Sequence, residues 1–232
     1  MAGVISDLQV LKDPKKAADS VRFYQTDKGG YGEGDQFLGI VVPKQRKISR
    51  KYKDLSLPEL QELLDSQFHE CRSVALMILV LQYRKGNPEK HQQIVDLYLK
   101  NSKKIDNWDL VDMSAPYILG DWFLDRDRNI LYEYAKSENL WQKRIAMLST
   151  YGFIRKNQYE DTIKIAEILL NDKHDLIHKA VGWMLREVGK RDQAEEEKFL
   201  KKYYREMPRT MLRYAIEKFP ESIRQKYLKG EI

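Results

Sequence analysis

Apolar and polar residues along this chain follow a helical pattern. No run of alternating strand residues stands out, and short polar turns divide the sequence into one helix after another. The segment SLPE at residues 56–59 has the form of a capping box with a proline near the helix start. The segment GNP at residues 86–88 ends one helix and begins the next. We therefore predict an all-α chain.

Four segments of the sequence resemble one another: HECRSVALMIL, DNWDLVDMSAP, WQKRIAMLSTY and IHKAVGWMLRE. In their alignment, and in its extension towards the C-terminus, one position holds in turn Arg72, Trp108, Arg144, Lys179 and Arg213. The spacings are 36, 36, 35 and 34 residues (108−72, 144−108, 179−144 and 213−179). A period of this length with two helices per repeat is typical of a stacked helix-pair solenoid. Because the signature residues of tetratricopeptide repeats are missing, we predict a HEAT-like helical-repeat solenoid, an α-α superhelix with these positions on its concave wall.

The repeat indicates a single HEAT-like domain over residues 1–232. Residues 26–36 (TDKGGYGEGDQ) lie outside the pattern, and their four glycines indicate a loop. We assign residues 27–36 as a flexible glycine-rich loop. Such a loop either folds over a ligand or serves as a long connector, and the sequence leaves both possibilities open.

Composition narrows the class of protein. Hydrophobic residues make up 42% and charged residues 33%, which is typical of a globular protein rather than a disordered one. The net charge of +6 is compatible with a polyanionic partner but does not require one. The N-terminus lacks the pattern of a secretory signal, and the longest apolar run, residues 74–81, is too short to span a bilayer. We therefore expect a cytoplasmic protein that does not enter a membrane.

Several kinds of site are disfavoured. Cys71 is the only cysteine, so an internal disulfide and a multi-cysteine zinc site are excluded. His174 and His178 have metal-ligand spacing, but no HExxH glutamate lies between them and no third ligand is evident. The sequence also has no phosphate-cradling glycine motif and no nucleophile elbow. We expect neither a metal nor a cofactor.

The most informative residues lie in NWDLVD, residues 107–112. Trp108 and Asp112 would stand one turn apart on the same face of a helix, whereas Asp109 would lie about 100° around it. Trp183 offers a second ring, and Arg144 lies between the two tryptophans in sequence. Indoles and a carboxylate can hold a cationic ring, and basic residues can neutralise phosphates. The alternatives are that the tryptophans belong to the core and that Asp112 caps or pairs with a neighbouring helix.

With these residues identified, the chain resembles the AlkD family of DNA alkylation-repair glycosylases. The resemblance covers most of the chain in order, and NWDLVD together with GWMLRE is specific. It is carried by FLGIVVPKQR (37–46), HECRSVAL (69–76), NWDLVD and the following PYILGDWFL (107–124), WQKRIAML (141–148) and GWMLREVGK (182–190).

The resemblance implies an activity. Members of this family have a HEAT-like solenoid with a concave DNA-binding face. They remove positively charged N3- and N7-alkylpurines by hydrolysis of the N-glycosidic bond in base excision repair. They do so without flipping the base into a pocket. The implied substrate is double-stranded DNA containing alkylated purines, bound by a monomer without a cofactor.

The resemblance also implies roles for individual residues. Asp112 would be the catalytic carboxylate, with Trp108 and Trp183 as aromatic walls beside the damaged nucleotide. The family's N-terminal tyrosine corresponds to Phe23 or Tyr24. Arg144 would be a contact to the DNA backbone. Apart from the resemblance, we also expect contacts to DNA from the cations at the repeated position of the concave wall, Arg72, Lys179 and Arg213, and from Arg186.

Two other functions fit the same scaffold. One is a non-catalytic protein that binds DNA or branched DNA on the concave wall, and the other is a HEAT-like protein-interaction scaffold. The presence of the two tryptophans together with Asp112 and Arg144 favours the enzyme, because a scaffold has no need for that set.

Overall fold

A computed structural model describes residues 2–232. Within this range the chain forms fourteen α-helices and one short 3-10 helix and no β-strand. Two extended residues, Gln36 and Phe68, form an isolated parallel bridge. The predicted all-α class is therefore confirmed.

The chain divides into two compact units, Met1–Ser114 and Ala115–Ile232, and the boundary falls within one helix. Each unit is described separately below. That both belong to one domain over residues 1–232 stays a prediction.

The first unit is built around a central helix, α5. This helix packs against α3, α4 and α6. As the SLPE motif predicts, Ser56 and Glu59 form a capping box at the start of α4, and the Asn87 side chain caps α6. The helices are α1 (Ala2–Val10), α2 (Pro14–Phe23), α3 (Val42–Lys51), α4 (Leu57–Leu64), α5 (His69–Lys85), α6 (Pro88–Lys100) and α7 (Trp108–Trp122), which continues into the second unit.

The second unit is built around α11, which packs against α9 and α13 and also contacts α12. A single turn of 3-10 helix (Ile216–Lys218) follows α13. The helices are α8 (Asn129–Ala135), α9 (Leu140–Ile154), α10 (Glu160–Ile168), α11 (Asp175–Gly189), α12 (Gln193–Tyr203), α13 (Arg209–Ala215) and α14 (Glu221–Lys229).

The repeated sequence position falls on every second helix from α5 to α13. Its five residues lie, in order, on α5, α7, α9, α11 and α13. This alternation is the two-helix period that the spacing predicts. The five side chains differ in exposure, however, because Arg72 and Arg144 are buried whereas Arg213 is exposed. Equivalent places in the repeat therefore do not give equivalent environments.

A buried carboxylate shapes the chain before α3. The Glu70 side chain accepts hydrogen bonds from the backbone N–H groups of Leu38, Gly39 and Ile40 at 2.8, 2.7 and 3.0 Å. Gly39 has φ of +79°, and a Cβ there would lie 2.1 Å from the backbone oxygen of Asp13, so only glycine fits. This arrangement fixes the position of Phe37 beside the start of α5.

No helix within residues 2–232 has the length and the apolar character that crossing a membrane requires.

Candidate functional site

The two residues singled out in NWDLVD lie on one helix, as predicted. Helix α7 begins at Trp108, and Asp112 follows one turn later. The fully buried Asn107 precedes the helix, and its Oδ1 accepts a hydrogen bond from the Trp108 backbone N–H at 2.8 Å. Trp108 and Asp112 are both partly exposed. The start of α7 therefore presents an indole and a carboxylate at the surface of the first unit.

Trp108 belongs to an aromatic cluster. We use this name for Phe23, Tyr24, Phe37, His69 and Trp108. The Tyr24 ring stacks on Phe37 at 5.0 Å between centroids and on Trp108 at 5.8 Å. Phe23 contacts the edge of Trp108 at 5.9 Å, and 62% of Phe23 is exposed. Both candidates for the N-terminal tyrosine position thus lie against Trp108, and Phe23 extends its aromatic surface towards solvent.

A buried charge cluster lies under these rings. We use this name for Asp35, His69, Arg72, Asp106 and Asp109. His69 is only 3% exposed; its Nδ1 lies 3.0 Å from Asp35 Oδ2, and its Nε2 lies 2.9 Å from Asp109 Oδ2. Two carboxylates from distant parts of the sequence therefore meet at one imidazole.

The charge cluster fixes the protonation state of His69. Burial on its own would lower the pKa of His69, but the hydrogen bonds to Asp109 and Asp35 outweigh it and raise the pKa to about 9. Burial would likewise raise the pKa of Asp35, but its bond to His69 and the charge of Arg72 lower that pKa below the usual value. At neutral pH, His69 is therefore an imidazolium that donates to both carboxylates.

The Tyr24 hydroxyl joins the aromatic cluster to the charge cluster. It donates a hydrogen bond to Asp109 Oδ2 at 3.1 Å. Burial, followed by the negative charge of Asp109, raises the pKa of Tyr24, so the phenol stays protonated. The Asp109 carboxylate thus accepts hydrogen bonds from Tyr24 and His69. Asp112 lies on a different side of α7.

Arg72 belongs to the interior of the first unit. The residue is 6% exposed. Its Nη2 lies 2.8 Å from Asp35 Oδ1 and 3.2 Å from Asp106 Oδ1. Its Nη1 donates to the backbone oxygens of Ser66 and Gln67 at 3.0 and 3.3 Å. A contact between Arg72 and DNA stays a prediction, and it would require these bonds to open.

The glycine-rich loop is anchored at its C-terminal end. Residues 27–34 form consecutive turns and bends, and Asp35 then enters the charge cluster. The Gln36 backbone oxygen accepts a hydrogen bond from the His69 backbone N–H at 2.8 Å. The flexibility of residues 27–36 stays a prediction. The last two residues of the loop, Asp35 and Gln36, bond to His69 at the start of α5. The loop therefore helps to position the residues that pack beside Trp108.

In the second unit, Arg144 and Trp183 lie on neighbouring helices. Arg144, on α9, is 4% exposed, and its Nη1 donates to the backbone oxygen of Leu176 in α11 at 2.6 Å. Trp183, on α11, is partly exposed, and its Nε1 donates to Glu187 Oε1 at 3.2 Å. Arg144 therefore holds α11 in place, and its predicted DNA contact stays a prediction.

The other residues predicted to contact DNA differ in whether their positive charges are already paired with a carboxylate. Lys179 pairs with Asp175 at 2.7 Å, and Arg186 pairs with Glu217. Arg213 is exposed and forms no ion pair with another residue of the described chain. Of these three, Arg213 is the best placed to reach a phosphate without losing a partner.

Trp108 and Asp112 belong to the first unit, whereas Arg144 and Trp183 belong to the second. That all four converge on one concave face stays a prediction. The described residues contain no group of three or more His, Cys, Asp or Glu side chains placed to hold a metal ion.

Gly182 permits close packing beside Trp183. A Cβ at this position would lie 2.4 Å from the backbone oxygen of Met211 and 2.5 Å from Tyr214 Cβ, both in α13. A backbone oxygen cannot move away from an added methyl group as a flexible side chain can. We therefore expect Gly182→Ala to lower the free energy of unfolding by about 1–3 kcal/mol. This loss exceeds the gain from the better helix propensity of alanine. Denaturant unfolding measures this change, and a variant at least as stable as the wild type would contradict the tight contact between α11 and α13.

Comparison with known proteins gives a match to one family and one fold. The family model described as "DNA alkylation repair enzyme" matches residues 4–219. A solved structure described as a predicted DNA alkylation repair enzyme from Enterococcus faecalis superposes with a TM-score of 0.71 at 18% identity. The superposition covers 90% of this chain and 97% of that one, and at such low identity it shows the fold alone. No curated protein matches the chain.

Proposed function

This chain belongs to the family of DNA alkylation repair enzymes, and we propose that it is a DNA glycosylase that excises positively charged N3- and N7-alkylated purines. The observation that carries the proposal is the start of α7. There a partly exposed indole and a carboxylate lie one turn apart, and Tyr24, which bonds to Asp109 of the charge cluster, stacks on the indole. Such an arrangement suits a cationic group near a sugar.

The reaction requires little from the protein beyond charge. An alkylated purine carries a positive charge, so when its bond to C1′ breaks, the electron pair neutralises the departing base and no acid is needed. Positive charge then develops on the deoxyribose, where the Asp112 carboxylate stabilises it. Water adds to C1′ and loses its proton to Asp112 or to solvent. The aromatic face of Trp108 lies beside the cationic nucleotide and contributes through its ring quadrupole.

We also propose that the base is not flipped into a pocket. The first unit has a cavity of about 490 Å³ bordered by Phe23, Tyr24 and Phe37, but neither Trp108 nor Asp112 lines it. Trp108 and Asp112 are partly exposed at the start of α7, and this exposure supports a reaction at the surface of the protein. Within this proposal the protein acts as a monomer on duplex DNA, without a cofactor, in base excision repair.

Release of free bases from methylated duplex DNA tests the activity. We expect chromatography to show 7-methylguanine and 3-methyladenine in the supernatant after incubation with the protein. If the protein binds the DNA but releases no base, the non-catalytic DNA-binding function replaces the glycosylase. If the protein neither binds the DNA nor releases a base, the result favours the protein-interaction scaffold.

A salt titration tests the proposed DNA contacts. We expect Arg213→Gln to reduce the slope of log binding constant against log salt concentration by about 0.9, the value for one lost phosphate contact. Lys229→Gln is the matched control, because Lys229 is also exposed but lies on α14, which carries no proposed site residue. Equal slopes for the two variants would show that Arg213 is not in the interface.

The same titration of Arg144→Ala shows whether the buried Arg144 guanidinium leaves the Leu176 backbone oxygen to contact DNA.

A further inference from the structure

A basic cleft lies in the first unit, away from the aromatic cluster. The cleft has a volume of about 470 Å³. We use the name basic cleft for the space lined by Arg50, Lys53, Leu55, Gln82, Lys85 and Lys90, with Asp54 as its one carboxylate. Four cations against one anion give it a net charge of +3 (4−1). A cavity of this size is within the range of small-molecule sites.

The four cations of the basic cleft lack carboxylate partners. Arg50, Lys53 and Lys85 are exposed and Lys90 is partly exposed, and none forms an ion pair with another residue among 2–232. Elsewhere in the same unit a lysine often has a partner, as Lys51 has in Asp7 at 2.5 Å. The positive charge of the cleft is therefore uncompensated.

Helix dipoles explain only part of this charge. Arg50 and Lys85 lie in the last turns of α3 and α5, where a cation is favoured by the negative end of the dipole. Lys53 lies beyond the end of α3, and Lys90 lies in the first turn of α6, where a cation is disfavoured. Helix stability therefore accounts for Arg50 and Lys85 but not for Lys53 or Lys90.

The wall of the basic cleft is held in place by Gln82. Its Nε2 donates hydrogen bonds to the backbone oxygens of Lys53 and Leu55 at 2.8 and 2.7 Å. These bonds tie the segment after α3 to α5. Arg50 and Lys85 thus stand on helices, and Lys53 stands on a segment that is fixed to one of them. A preformed site of this kind loses little entropy on binding an anion.

The basic cleft is separate from the proposed catalytic pair. Helix α5 connects the two regions, with His69 of the charge cluster at its first residue and Lys85 of the cleft at its last. Sixteen residue steps along a helix correspond to about 24 Å. A ligand in the cleft therefore does not occupy the surface of Trp108.

We propose that the basic cleft binds the phosphate group of a nucleotide. Arg50 supplies a planar guanidinium that can hold two phosphate oxygens, and the three lysines supply further positive charge. Leu55 and Leu81 provide apolar surface for the remainder of the nucleotide. The phosphate belongs either to a free mononucleotide or to a DNA strand that extends beyond the lesion site, and the two sources are separated by experiment.

The first arm of the test uses adenosine monophosphate and adenosine as probes in isothermal titration calorimetry. We expect the monophosphate to bind and adenosine to bind much more weakly. The double variant Arg50→Gln, Lys85→Gln should weaken monophosphate binding by about tenfold or more, because even one lost charge-assisted hydrogen bond can account for that factor. The control, Lys226→Gln with Lys229→Gln, removes two exposed cations of α14 and should bind as the wild type does.

The second arm uses an undamaged DNA duplex and measures the salt dependence of binding for the same variants. If the phosphate comes from a DNA strand, the slope falls by about 0.9 for each lost contact in the cleft variant and not in the control. A change in either arm that is confined to the cleft variant supports the proposal and identifies the source. No monophosphate binding, together with equal slopes for the two double variants, overturns it. Both variants alter exposed side chains, and circular dichroism confirms that they are folded.

Discussion

Asp112→Asn is expected to slow single-turnover release of 7-methylguanine from methylated duplex DNA by about a thousandfold. A carboxylate about 4 Å from a developing unit charge contributes roughly 4 kcal/mol at an effective dielectric constant of about 20, which corresponds to about three decades in rate. Asparagine has nearly the same shape but no charge. Binding of the undamaged duplex should change little, since the proposed role of the charge is in the transition state.

Asp125→Asn is the matched control. Asp125 is an exposed aspartate in the segment after α7 and has no proposed role. The Asp125→Asn substitution changes the net charge by the same amount as Asp112→Asn, and this variant should release 7-methylguanine at the wild-type rate. Asp109→Asn is a poor control, because Asp109 holds Tyr24 and His69 beside Trp108. A rate for Asp112→Asn close to that of Asp125→Asn would exclude Asp112 as the catalytic carboxylate.

His69→Gln is expected to lower the free energy of unfolding by about 3–5 kcal/mol at pH 6. Removal of the imidazolium leaves the buried Asp35 and the partly buried Asp109 without the cation between them, and breaking a buried ion pair typically has this cost. The loss should also disturb the environment of Trp108, because Tyr24 contacts both Asp109 and the indole. Denaturant unfolding monitored by tryptophan fluorescence measures both effects.

The pH dependence of the unfolding free energy shows whether the charged His69 side chain supplies this stabilisation. Its pKa rises from 6.5 in the unfolded chain to about 9 in the folded protein, so its stabilisation is fully present below pH 6.5 and is lost as the pH rises towards 9. The rise of the His69 pKa from 6.5 to about 9 corresponds to roughly 3 kcal/mol. We expect the wild-type unfolding free energy to fall by about that amount over this interval.

His91→Gln provides the control for this titration. His91 is also in the first unit, and its Nε2 bonds to the backbone oxygen of Tyr83 rather than to a carboxylate. The His69→Gln variant should lose the pH dependence between 6.5 and 9, whereas the His91→Gln variant should keep it. A wild-type stability that stays constant or increases over this interval would show that His69 is not charged between Asp35 and Asp109.

Local pattern is sufficient to predict the helices and the Trp108–Asp112 pair. The capping box at Ser56 and the two-helix period depend on residues that are close in sequence or regularly spaced, and both are present in the structure. The relation between Trp108 and Asp112 follows from their separation of four residues on one helix. Such features need no knowledge of how distant segments meet.

The charge cluster could not be predicted in this way, because its members are far apart in sequence. His69 is 34 residues from Asp35 and 40 residues from Asp109. The available signal was an aspartate at the end of a glycine-rich loop and a histidine at a helix start. Neither identifies its partner. The burial of Arg72 was missed for the same reason, since the period places it on a helix but does not show that Asp35 covers it.

Excision from two duplexes of the same sequence tests the central claim most directly. One duplex carries a single 7-methylguanine, which is cationic, and the other carries hypoxanthine at the same place, which is neutral. If Asp112 and Trp108 act on a base that leaves without acid assistance, the protein should release 7-methylguanine under single-turnover conditions and leave hypoxanthine in place. Equal release of both bases, or retention of 7-methylguanine by a protein that binds the duplex, would contradict that claim.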